Sequence, residues 1–143
     1  ETNGILFGVD KDYVRKISKF TKPHVRISLK AGTPEAFTKK TGAKPEFFEI
    51  PFQAIKNLLD CNVSFHVAAM SADPRIMTRE ERMSLLRKLA EIDAKLLLNL
   101  EEEIMDAYDS TLARLKYAGL KVEWPLKHVY EPIKEMLKRK KTV

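Results

Sequence analysis

One cysteine, Cys61, occurs among 143 residues. An intramolecular disulfide is therefore excluded, and so is an iron–sulfur cluster held by this chain alone, since such clusters take three or four thiolates. Glycine is scarce at five residues, and the chain shows neither a low-complexity segment nor an internal repeat. No apolar run approaches the roughly 20 residues that cross a bilayer, and the N-terminal stretch lacks the basic-then-apolar order of a signal peptide. A cytoplasmic location is the expectation. Length sets a further bound: the chain is long enough for one domain, 1–143, yet short of the roughly 250 residues of a complete eight-stranded barrel. The first residues, from Glu1, read as a strand end running into a turn, and truncation of a larger unit is expected.

The net charge of +6 and pI near 9.4 raise the question of nucleic acid. Recognition would gather basic residues on one face beside aromatic or amide groups, whereas here acidic and basic residues alternate along the helical stretches. Such a Lys/Glu-rich mixture is also typical of proteins from hot environments. The only concentrated basic run is Lys138, Arg139, Lys140 and Lys141, within a 138–143 tail. A frayed, solvated terminus explains it, and neither nucleic acid nor a membrane is expected as a partner.

Hydrophobic periodicity supplies the architecture. Asn3-Gly4 marks a turn, and Asp10 caps a helix whose apolar face holds Tyr13, Val14, Ile17 and Phe20. His24 to Lys30 alternates as a strand, with Val25, Ile27 and Leu29 on one side and Arg26, Ser28 and Lys30 on the other. Thr33 and Pro34 open a short helix closed by Gly42, and Phe52, Ile55, Leu58 and Leu59 mark the buried face of the next. Val63 to Met70 is a second alternating strand, with Ser64 and His66 on its polar side. Thr78 and Glu81 form a capping box ahead of a helix carrying Met83, Leu86, Leu89 and Ala90. Lys95 to Glu101 reads as a leucine-rich third strand with Asn99 and Glu101 polar. Glu101 to Glu103 otherwise reads as a solvated loop. A helix with Tyr108, Leu112 and Leu115 stops at Gly119, Val122 to Trp124 is a short candidate strand, and Pro132 starts the last helix.

Strands alternating with helices predict an α/β fold with parallel strands. A doubly wound sheet buried on both faces would show near-continuous apolar strands. The polar sides carrying Ser28, Lys30, Ser64, His66, Asn99 and Glu101 instead predict a partial (β/α) barrel, TIM-barrel-like, whose lumen takes a ligand at the strand C-terminal ends.

The residues admit three chemical readings. Lys30, at a strand end before Gly32, is suited to pairing with a carboxylate or phosphate, or to acting as a Schiff-base lysine with His66 as proton carrier in an aldolase-like barrel. A non-catalytic module binding RNA or protein through the basic tail is another. The third comes from a resemblance. Glu1-Thr2-Asn3-Gly4 looks like the strand-end sequence of radical S-adenosylmethionine enzymes related to glycyl-radical-enzyme activases. Val25-Arg26-Ile27-Ser28-Leu29-Lys30 resembles their next strand, and Glu35 to Pro45 resembles the helix that follows. The similarity extends from Glu1 to about Gly119. It implies that Ser28 bonds the ribose of S-adenosylmethionine, that Lys30 pairs with its carboxylate, and that Asn3, Gly4 and His66 also face the cofactor. The CxxxCxxC loop that holds the [4Fe–4S] cluster in that family is absent from this sequence, as is the glycine-rich site for the amino group. The implied arrangement is a later barrel portion whose partner is a cysteine-bearing segment, inactive by itself, with a second copy of the chain as an alternative cover for the strand edge near Glu1.

Overall fold

A computed structural model describes residues 1–140, apart from the side chain of Lys140. About half of the described chain is helical, around a three-stranded parallel sheet. The elements run α1 (Ile5–Val9), α2 (Lys11–Ile17), β1 (His24–Leu29), α3 (Pro34–Thr41), α4 (Ile50–Asp60), β2 (Ser64–Ala69), α5 (Arg79–Ile92), β3 (Glu101–Glu102), α6 (Asp109–Tyr117) and α7 (Ile133–Lys140). The strand order is β1-β2-β3, sequential and parallel throughout. Thr2 adds a parallel bridge to Ile27 on the free side of β1, through Thr2 N–H to the Arg26 carbonyl and Ser28 N–H to the Thr2 carbonyl. No helix among the described residues is long and apolar enough to cross a membrane.

The alternation in β1 and β2 becomes two unlike sheet faces. Val25, Ile27 and Leu29 of β1 and Val67 and Ala69 of β2 are buried in one cluster with Phe52, Ile55 and Leu58 of α4 and Leu85, Leu86 and Leu89 of α5. The pairings His24 with Ser64, Arg26 with His66 and Ser28 with Ala68 gather the other side chains on the opposite, largely polar face. Helices thus pack against one side of the sheet. Removing a fully buried side chain from this core, such as Ile55, costs about 2–5 kcal/mol.

Several helix ends follow local chemistry. The side chains of Asp10, Thr33 and Thr78 accept from the N–H of Tyr13, Ala36 and Glu81, satisfying donors that have no partner within the helix. Gly42 ends α3 at φ 72°, a left-handed conformation that a Cβ disfavours.

The structure corrects several sequence expectations. The turn expected to run from Asn3-Gly4 through Gly8 ends at its start, because Ile5–Val9 is helical. Phe20 lies beyond α2 and is exposed. Between Lys95 and Glu101, Leu96 and Leu97 occupy a 3-10 turn, Ala94–Leu97, and the strand begins only at Glu101. Asp93 accounts for this, because its carboxylate accepts from Lys95 N–H at 2.8 Å and starts the turn. Val122 to Trp124 forms no strand. In α5, Leu85 takes the core position expected of Met83, which is exposed. At the C-terminus, Lys138 and Arg139 belong to α7 and pair with Glu135 and Glu131, while residues 141–143 of the basic tail lie outside the described residues.

Candidate functional site

At the C-terminal end of β1, a cavity of about 240 Å³ opens between the N-terminal segment, β1, α3 and α4. Asn3, Ser28 and Lys30 line it on one side, and Phe37, Phe48 and Phe52 on the other. In the aromatic wall Phe48 meets both neighbours edge to face, with centroids 6.0 Å from Phe37 and 5.2 Å from Phe52, the arrangement that ring quadrupoles favour. Ser28 and Lys30 share a side of the extended backbone, since they are two residues apart. Lys30 Nζ donates to Ser28 Oγ at 2.7 Å. Ser28 is buried while Lys30 is exposed. Asn3 Oδ1 accepts from Ile5 N–H at 3.1 Å, which fixes the turn into α1.

The turn after β1 is itself clamped. Glu81, buried in the first turn of α5, accepts from Gly32 N–H at 3.0 Å and from Lys40 Nζ at 2.6 Å. Its carboxylate therefore does not return to Thr78 as a capping box would; it reaches across to the loop that carries Lys30. A Cβ on Gly32 would stand 2.2 Å from the Glu81 carbonyl oxygen, so this approach requires glycine.

Of the five residues expected to hold a cofactor, the cavity collects Asn3, Ser28 and Lys30. Gly4 instead begins α1 at φ 82°, where a Cβ would crowd Pro51 Cα at 3.2 Å. His66 sits lower on the same sheet face, opposite Arg26. There its Nδ1 lies 2.7 Å from His24 Nε2 and its Nε2 lies 2.9 Å from Glu101 Oε2. The polar side chains of the sheet thus divide between a cavity at the strand end and a separate network in mid-sheet.

That network was not visible in the sequence. Arg26 makes two bonds to Glu101, at 2.9 and 3.0 Å, and also pairs with Glu103 and with Glu1. Hydrogen bonds from Arg26, then from His66, hold the Glu101 carboxyl down to about 2 from its ordinary 4.5. The reciprocal bonds raise Arg26 further above its usual range. Glu101 to Glu103 is therefore no solvated loop. Glu102, on the helix-packed face, accepts from Arg82 at 2.6 Å, from Ser71 at 3.0 Å and from Ile133 N–H at 2.6 Å. The one signal available for these pairs was that Arg26 and Glu101 both fall on the polar phase of their strands.

The donor set speaks to cofactors. Cys61 is free, and among the described residues no group of three or more His, Cys, Asp or Glu side chains is arranged to hold a metal, so this chain does not fit an iron–sulfur cluster. The cavity does fit part of a ligand that combines a carboxylate or hydroxyls with a flat or apolar portion, through Lys30, Ser28 and the aromatic wall. Comparison with protein-family models, curated proteins and solved structures returns no match.

Proposed function

We propose that this chain is the later portion of a radical S-adenosylmethionine enzyme, an open part of a (β/α) barrel that cradles the cofactor at the C-terminal end of β1. The observation that carries the reading is the hydrogen-bonded Lys30–Ser28 pair lining one cavity with Asn3. In this reading the Lys30 ammonium pairs with the cofactor carboxylate, the Ser28 hydroxyl bonds a ribose hydroxyl, and the phenylalanine wall covers an apolar portion. Ligand pockets usually span about 300–1,000 Å³, so the 240 Å³ cavity receives a fragment of the cofactor. A cysteine-bearing segment supplies the rest of the site and the cluster.

The layering supports the barrel. Sequential parallel strands with helices on one face and polar side chains on the other are the arrangement of consecutive barrel units, where ligands sit at strand C-terminal ends. A doubly wound sheet would place helices on both faces.

Calorimetric titration of the 143-residue chain with S-adenosylmethionine and S-adenosylhomocysteine tests the proposal. Saturable binding that weakens about tenfold in Lys30→Met, the equivalent of about 1.4 kcal/mol, is expected, with a smaller loss in Ser28→Ala. Absence of saturable binding, or equal affinity in Lys30→Met, overturns it.

A further inference from the structure

His66 has no place in the cavity, and what it does can be derived from its partners. A continuous chain of hydrogen bonds crosses the polar sheet face. Ser64 Oγ lies 2.7 Å from His24 Nδ1, His24 Nε2 lies 2.7 Å from His66 Nδ1, and His66 Nε2 lies 2.9 Å from Glu101 Oε2. The two ring planes are inclined by only 21° with centroids 5.0 Å apart, the edge-to-edge placement that an in-plane N–H···N bond requires. We propose that His24 and His66 form a single-proton acceptor: the pair takes up one proton with its ring-to-ring bond intact, and a second proton breaks that bond.

Hydrogen-bond direction carries the argument. Glu101 is held as a carboxylate by Arg26, and a carboxylate only accepts. His66 Nε2 must therefore carry a hydrogen. In neutral His66 the Nδ1 is then bare and accepts, so His24 Nε2 carries a hydrogen in its turn. His24 Nδ1 is left bare, and the Ser64 hydroxyl donates to it. Every hydrogen bond in the chain is satisfied with both rings neutral, and in only one tautomer of each.

One added proton is accommodated without loss. If His66 Nδ1 is protonated, His24 becomes the Nδ1–H tautomer, donates to Ser64 Oγ and accepts from His66 through its bare Nε2. All three bonds survive, with reversed direction in the first two. A second added proton leaves His24 Nε2–H facing His66 Nδ1–H across 2.7 Å, two donors with nothing between them to accept. The bond must then break.

Of the charged groups nearby, Glu101 of β3 touches His66, and Arg26 of β1, which bonds Glu101, also pairs with Glu103 just beyond it and with Glu1 of the N-terminal segment. The bonds that tie His24, Arg26, Ser64 and His66 together run between strands and the segments at their edges, so the switch is confined to the sheet.

Long-range nitrogen–proton correlation spectra of the histidine rings in the full chain, followed through a pH titration, test this directly. At alkaline pH both His24 and His66 are expected as Nε2–H tautomers. On acidification the signals of both rings should move in one shared transition, His24 passing to Nδ1–H, followed by a second, separate transition. In folded His66→Gln, whose amide still donates to Glu101 and accepts from His24, the remaining ring should titrate once and keep its Nε2–H. The wild-type spectra carry the test even where that variant does not fold. An Nδ1–H tautomer on neutral His66, or two rings titrating independently of each other, overturns the proposal.

Discussion

Arg75 Nη2 lies 2.7 Å from Asp73 Oδ2 in the loop after β2, with the Arg75 side chain 7 % exposed and that of Asp73 fully buried. The pair reaches beyond the loop. Asp73 accepts from Met105 N–H at 2.9 Å, and Arg75 donates to the carbonyls of Met105 and Glu123, each at 2.7 Å. Burial pushes the Asp73 carboxyl up, yet the bonds from Arg75 and the Met105 and Arg75 N–H groups outweigh it and hold the group below its ordinary value.

Replacing Asp73 by alanine strands a guanidinium in a buried setting. Breaking one side of a buried pair costs about 3–5 kcal/mol, and chemical denaturation of Asp73→Ala should show a loss of that size. Near-neutral stability would mean that the pair is dispensable to the packing of the 105 and 123 segments.

Acid should weaken the sheet through Glu101. Its carboxyl titrates at about 2 in the folded chain against an ordinary 4.5, so the folded state binds this proton less readily than the unfolded one. The corresponding stabilisation is complete above about pH 4.5 and is lost as pH falls towards 2. Denaturation midpoints measured across that interval should fall more steeply for the wild type than for Glu101→Gln; parallel profiles would contradict the assignment.

Two glycines should respond differently to alanine. At Gly32 the added methyl would meet the Glu81 carbonyl oxygen at 2.2 Å, whereas at Gly42 nothing lies within 4 Å and only φ +72° opposes it. Gly42→Ala should lose about 1 kcal/mol for the left-handed backbone. Gly32→Ala should lose about 3 kcal/mol, the upper end for overpacking, in the same melting experiment.

Thr78 supplies the α5 cap through its 3.2 Å bond from Glu81 N–H. Thr78→Ala should cost about 1 kcal/mol, and Thr78→Ser should restore most of it.

Local chemistry was legible in the sequence wherever one signal dominated. Alternation from His24 to Leu29 and from Ser64 to Ala69 located both long strands and their two faces, and Asp10, Thr33, Thr78 and Gly42 announced their helix ends. Failure came where signals were degenerate. Leu96, Leu97 and Leu98 are adjacent, and a run without period fits a strand or a turn equally; the deciding contact was the Asp93 side chain. For the candidate site, the spacing of two put Ser28 and Lys30 on one side of the extended backbone, and the structure brings both to one cavity. The division between the cavity and the His24–His66 network depends on inter-strand register, which brings Arg26 beside His66 and Ser28 beside Ala68. Glu81 was recognised as a cap and missed as a clamp, because its partners Gly32 and Lys40 lie 49 and 41 residues away.

The proximity of Gly32 to the Glu81 carbonyl restricts how the rim beside Lys30 can diversify. Substitution there has position 30, exposed at the rim, to work with, but not Ala31, which is buried in the core, nor 32, where even the smallest side chain would lever α5 away from its neighbours. Mutational drift at this mouth is channelled into changing which group position 30 presents, while the path of the chain that presents it stays fixed.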